Sequence, residues 1–237
     1  MKTNIRDILA RRNDLGSFLV HLTKEASNQD AKENLISIIR DNCIRAVNNF
    51  GFAKSLADKG DINEWPQKTV CFTEAPLEHL HFLVEEIEGR RYQFGPYGIV
   101  ITKKYARENS VNPVWYIENN SDLGKARQIF FNHILQKYRE GENISSFFQI
   151  TPYMETMGYV QNLNRNIEFW WEREWRKVGD MPLPSKYIVI CPENDIGEFQ
   201  ALTKQTGGCL LCIDPAWSME QIIASFAGFT SDEIDML

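Results

Sequence analysis

The chain has 237 residues, 43% hydrophobic and 24% charged, with a formal net charge of -6. These are the proportions of an ordinary globular protein with room for one large domain or two small ones. The negative balance gives no global pull toward nucleic acid, and no apolar run reaches the roughly 18 residues that span a bilayer. Met1 to Arg6 carries no signal-peptide core, and the 5 scattered cysteines suit a reducing cytoplasm.

Thr3 to Arg12 has the spacing of a short helix capped by Thr3. Phe18 to Thr23 is an apolar run with one histidine, His21. Ala31 to Val47 carries a helical apolar stripe, and Ser55 to Lys68 is polar and expected to be a loop. Thr69 to Thr73 is a brief strand. Pro76 opens a helix expected to run from Leu77 to Arg90 with Leu80, Phe82, Leu83, Val84 and Ile87 inward. Ile99 to Thr102 and Val114 to Ile117 are β-branched or aromatic strands. Asp122 to Tyr138 is a long helix with Leu123, Ala126, Ile129, Phe130, His133, Ile134 and Tyr138 near one face. Tyr187 to Pro192 is a buried strand, Asp195 to Lys204 a helix and Cys209 to Ile213 a strand. Met219 to Phe226 is a last helix, for which Ser218 and Gln221 form a capping box. Strands and helices mix without regular βαβα alternation, which points to an α+β fold with a largely antiparallel core.

Ile167 to Asp180 is the densest stretch, with three tryptophans and a phenylalanine among carboxylates and cations. Read as one strand, it places Glu168, Trp170, Glu172, Glu174 and Arg176 on one side. Carboxylates walled by rings are held dry, as acid–base or electrostatic chemistry requires. The same pattern also fits cross-strand ion pairs. Cys209 and Cys212 have CxxC spacing but no second pair, and His79 and His81 face apart on a helix, so no metal is expected. Lys103, Lys104 and Arg107 make a small basic cluster that a phosphate could use.

His21-Leu22-Thr23, followed by a helix containing Asn34-Leu35, resembles the opening motif of the diphtheria-toxin-like ADP-ribosyltransferases. That group includes the poly-ADP-ribose polymerases and the DarT-type toxins. Val70-Cys71-Phe72-Thr73-Glu74, running into a helix with Phe82, is similar to the middle motif, and Glu174 stands where the late-strand glutamate falls. The resemblance implies NAD as substrate. His21 and Thr23 would hold the adenosine ribose, and the backbone at Leu22, where many members have glycine, would clamp the nicotinamide amide. Phe72 or Phe82 would stack on the nicotinamide ring. Glu174 would carry catalysis, with Glu172 as substitute or acceptor-orienting helper and Arg176 shaping the site.

Phe18 to Thr23, Val70 to Leu77, Tyr97 to Lys103, Asn112 to Tyr116, Trp171 to Arg176 and Ile213 to Ser218 resemble the AbiGi family of abortive-infection proteins. Members are described as one half of a two-gene system, sometimes as its antitoxin. The combined expectation is one domain, 1–237, with an ADP-ribosyltransferase-like split antiparallel β-sheet core and surrounding helices. It would act in the cytoplasm, off the membrane, as a phage-defence toxin that transfers ADP-ribose from NAD to a macromolecule. A nucleic-acid acceptor is preferred by analogy, and a cognate toxin or antitoxin is the expected partner. The alternatives are a non-enzymatic antitoxin or sensor, and an NAD glycohydrolase.

Overall fold

The computed structural model of the chain describes residues 16–26, 28–58, 67–86, 93–143, 145–160 and 164–229. The helix expected over Thr3 to Arg12 lies outside them. In chain order the strands are β1 (Phe18–Leu22), β2 (Cys43–Ile44), β3 (Asn48–Asn49), β4 (Lys68–Thr73), β5 (Gly98–Thr102), β6 (Asn112–Pro113), β7 (Trp115–Glu118), β8 (Met154–Val160), β9 (Arg165–Ile167), β10 (Glu174–Val178), β11 (Met181–Pro182), β12 (Tyr187–Ile190) and β13 (Cys209–Ile213). The helices are α1 (Ala31–Asp41), α2 (Gly51–Asp58), α3 (Leu80–Val84), α4 (Lys103–Glu108), α5 (Asp122–Arg139), α6 (Ser145–Phe148), α7 (Ile196–Thr206) and α8 (Met219–Ala227). Helices and strands mix as expected of an α+β fold, and most strand pairs are antiparallel.

The chain divides into two compact units. One takes the described residues up to Ile44, those of 72–108 and those from Pro182 on; the other takes those of 45–71 and 109–181. In the first unit, β13 pairs parallel with β12, which pairs antiparallel with β5, and β5 pairs antiparallel with β1. The end of β4 joins beyond β1 through Val20 opposite Thr73. Strands buried on both faces need apolar residues at every position rather than at alternate ones. Val20, Leu22, Val100, Ile188 and Ile190 belong to one core together with Leu80 and Leu83. Leu19, Ile99, Ile101 and Val189, which point the other way, are buried too. At the edge, a bulge displaces Leu210, so Leu211 rather than Leu210 pairs with Ile188.

The second unit pairs β7 parallel with β8 and β8 antiparallel with β9. It also pairs β10 with β6, and β3 with the start of β4. Its core is Phe52, Ile117, Phe131, Leu135 and Met154, with Phe52 stacked on Phe131.

Five expectations change. The helix expected over Ala31 to Val47 ends at Asp41, where Asn42 takes a left-handed φ of 50°, and Cys43–Ile44 form β2 instead. The helix expected from Leu77 to Arg90 is a 3-10 turn, Leu77–His79, followed by the short α3, and residues 87–92 are not described. Phe82 is 56% exposed rather than inward, because Leu80 and Leu83 fill the core side of so short a helix. On α5, Gly124, Phe131 and Leu135 are buried and Ile134 and Tyr138 pack against the same core as expected, while Leu123, Ile129 and Phe130 are exposed. Phe131 is the residue stacked on Phe52. The loop expected from Ser55 begins inside α2, which ends at Asp58, and residues 59–66 are not described.

Candidate functional site

In the first unit, β1 presents His21 half-buried on the face shared with Leu19, opposite Ile99 of β5. Gly98, opposite Leu22, permits this approach: a Cβ there would overlap the carbonyl oxygen of His21. The register that places Val20 against Thr73 brings Phe72 beside His21. The two rings meet edge to face with centroids 5.8 Å apart. Phe72 is 2% exposed, so its ring is packed into the sheet. Leu22 is buried in the core.

Thr23 is buried at the end of β1. Its hydroxyl donates to the Ala31 carbonyl at 2.7 Å, its N–H donates to Tyr97, and its carbonyl accepts from Gly95. Lys103 is committed to Glu74, whose carboxylate is buried 2.5 Å from its Nζ.

The second unit holds the charged cluster. Residues two apart on a strand share a face, and on β10 this places Glu174 beside Arg176. Arg176 is 2% exposed. Its Nε donates to Glu174 Oε1 at 2.8 Å and its Nη2 to Glu174 Oε2 at 2.7 Å, a bidentate fork. Nη2 also donates to Glu155 Oε2 at 2.9 Å, and Nη1 to the Pro152 carbonyl at 2.6 Å. The Phe50 ring lies 4.9 Å from the guanidinium carbon. Glu155 accepts a further bond from the N–H of Gly51. Gly51 has φ +60° with three carbonyl oxygens where a side chain would start, so only glycine fits there without strain.

Burial alone would weaken the hold of Arg176 on its proton. The charge of Glu174 and its hydrogen bonds outweigh that and keep the guanidinium above its ordinary pKa. Cys71 lies against the same carboxylate: burial, then the Glu174 charge, push its thiol well up. Burial and Glu174 also raise the Tyr116 phenol, whose oxygen accepts the Glu174 N–H at 3.2 Å. Thiol and phenol therefore keep their protons at neutral pH. Two carboxylates share one guanidinium.

The reading of Ile167 to Asp180 as one strand is corrected. β9 ends at Ile167, Trp170–Glu172 form a 3-10 turn, and Arg173 takes a left-handed φ of 45° before β10 starts at Glu174. Strand alternation is lost across that turn, so Glu172 is not one strand repeat from Glu174. Trp170 and Trp171 lie at the surface and donate to the Glu168 carboxylate and carbonyl, each at 3.0 Å. Glu172 still contributes to the field that raises Tyr116. Sequence reasoning missed Glu155, Tyr116 and Phe50. Glu155 and Phe50 lie 21 and more positions from Arg176 in a stretch with no motif, and only the fold joins them.

The family model described as "Putative abortive phage resistance protein AbiGi, antitoxin" matches residues 38–201. The chain is 24% identical over 168 residues to the abortive phage resistance protein AbiGi of Lactococcus lactis subsp. cremoris. That match covers 62% of this chain and 65% of the relative, so it spans less than two thirds of the relative's length. Among solved structures, DarT of Thermus sp. 2.9 in complex with carba-NAD+ is similar at 11% identity and a TM-score of 0.38, covering 85% of this chain and 97% of that one. No described helix is long and apolar enough to cross a membrane.

Proposed function

Because the chain belongs to the AbiGi family of abortive phage resistance proteins, we propose that it is one component of a two-gene phage-defence system and transfers ADP-ribose from NAD to a macromolecule. The observation that carries this reading is the Glu174 carboxylate. It is held by two hydrogen bonds from Arg176 and its side chain is 12% exposed. In the transfer, the bond between the ribose anomeric carbon and nicotinamide breaks and nicotinamide leaves with the electron pair. Positive charge develops on the ribose, and the acceptor bonds to that carbon and loses a proton. A carboxylate fixed in place before the reaction stabilises that charge without reorganisation.

His21 would then hold the adenosine ribose, with Thr23 accepting from a sugar hydroxyl and the Leu22 backbone facing the amide. Of the two candidate rings, Phe82 has the exposed face that stacking on nicotinamide needs. A nucleic-acid acceptor is proposed from the motif resemblance alone.

The test is nicotinamide release from NAD, together with the fate of adenine-labelled NAD. Wild type is expected to release nicotinamide and place label in nucleic acid or protein. Glu174→Gln is expected to lower the rate about 100-fold or more, as loss of a preorganised transition-state group does. Label found only as free ADP-ribose would mark a glycohydrolase. No nicotinamide release by wild type would overturn the enzyme reading.

The second reading is a non-enzymatic antitoxin or sensor. Both oxygens of Glu174 already accept from Arg176, a pairing that could serve the fold alone. The description of the matched family also ends on "antitoxin". Neutralisation of a co-expressed partner by the Glu174→Gln variant as well as by wild type would favour it.

A further inference from the structure

The last helix, α8, packs Ile222 inward and leaves a row of large apolar side chains outside. Met219, Ile223 and Phe226 recur one turn apart, so they share one side of the helix. Ile223 is 57% and Phe226 52% exposed, and Phe229, just past the helix, is 57% exposed. Scattered exposed apolar residues need no explanation, but a row at helical spacing has the form of a helix that docks in a groove.

The helix is fixed at both ends. Ser218 and Gln221 make reciprocal capping-box bonds. At the other end Gly228, in the left-handed region, donates to Ser225 and Phe229 donates to Ala224, a Schellman motif. A helix already formed does not lose ordering entropy on binding, so more of the contact energy appears as affinity.

The charges around the row decide what it fits. Glu220 lies exposed in the first turn of the helix beside the row, Asp214 precedes the helix, and no lysine or arginine stands between Asp214 and Phe229. A second copy would bring like charges together, which opposes self-association. A partner with an apolar groove rimmed by lysine or arginine would match both features.

We infer that α8 is the docking element for the partner protein of the two-gene system, its Met219, Ile223 and Phe226 seated in a basic-rimmed apolar groove. The inference rests on the two-component reading above and not on the transferase chemistry. The helix lies beyond the stretch matched by the family model, residues 38–201.

The experiment measures binding of the full-length chain to the protein encoded beside it, by calorimetry at two salt concentrations. The chain's mass in solution, circular dichroism and melting are measured in parallel. The double substitution Ile223→Asp with Phe226→Asp is expected to weaken binding about 100-fold, since central apolar anchors dominate such interfaces. Spectrum and melting should be unchanged. Glu220→Lys is expected to weaken binding about threefold to tenfold and to reduce its salt dependence. If the aspartates disturb folding, Ile223→Ser with Phe226→Ser replaces them.

Unchanged binding in the folded double variant would overturn the docking inference and leave the two-component reading standing. Failure of wild type to bind at all would overturn both. A wild-type dimer that the double substitution splits would assign the row to a second copy, against this proposal.

Discussion

The first unit is held by strands with apolar residues on both faces, and the second by a polar network around one arginine. Along β12 and β5, Ile188, Ile190 and Val100 bury one face while Val189, Ile99 and Ile101 bury the other. Glu74, a buried carboxylate of that unit, sits beyond the end of β4 with Lys103 as a partner. In the second unit the guanidinium of Arg176 lies inside, and its fit depends on two carboxylates, a carbonyl and a ring. A dry sheet tolerates small changes of shape and is a firm scaffold. A buried ionic network depends on every member, and it fixes charge in space. The group proposed to do chemistry belongs to the second kind, and the group proposed to bind sugar stands on the first.

This contrast predicts unequal costs. Arg176→Met is expected to destabilise the protein most, by about 3–5 kcal/mol, because two carboxylates lose the cation that compensates them. Urea unfolding measures it. Replacing Glu174 and Glu155 by apolar residues in the same variant should recover much of the loss. A cost below about 1 kcal/mol for Arg176→Met would erase the distinction between the units.

In the first unit, Ile190→Ala removes packed atoms and leaves a cavity, for an expected loss of about 2–5 kcal/mol. Ile190→Val should cost only about 0.5–1.5 kcal/mol. That graded response, read from the same unfolding curves, is the mark of a core held by area and shape.

The smallest effect concerns acid. Asp195 in the first unit has its carboxyl held below the usual range by hydrogen bonds from Lys32 and Tyr97. Asp180 in the second is held low by the Ala46 N–H and Arg45. A depressed carboxyl contributes stability above its unfolded pKa of about 4 and loses it as pH falls through the lower folded value. Stability should therefore decline below about pH 4. Asp195→Asn and Asp180→Asn should each flatten that decline slightly, both groups being partly solvated. Chemical unfolding repeated from neutral pH to about pH 2 checks it.

Much of the first unit was legible in the sequence. Runs such as Tyr187 to Ile190 read as buried strands because nothing polar interrupts them. The capping box of α8 was readable because its two residues are three apart and act locally. The second unit was harder. Phe169-Trp170-Trp171 suggested a continuous strand, yet the left-handed Arg173 breaks it. Propensity does not foresee such a residue, since few side chains other than glycine adopt that conformation readily.

The sequence alone determined what lies within a turn of helix or two steps of strand: the apolar runs, the caps, and Glu174 beside Arg176. Tertiary structure decided what encloses them. Pairing across the chain brought Glu155, Pro152 and Phe50 to the guanidinium, and α5, with Phe131 stacked on Phe52, leaves Leu123, Ile129 and Phe130 outside while Ile134 and Tyr138 stay inward. Short-range geometry follows from fixed backbone periods. Burial of a charge depends on partners far along the chain, and no local pattern specifies them.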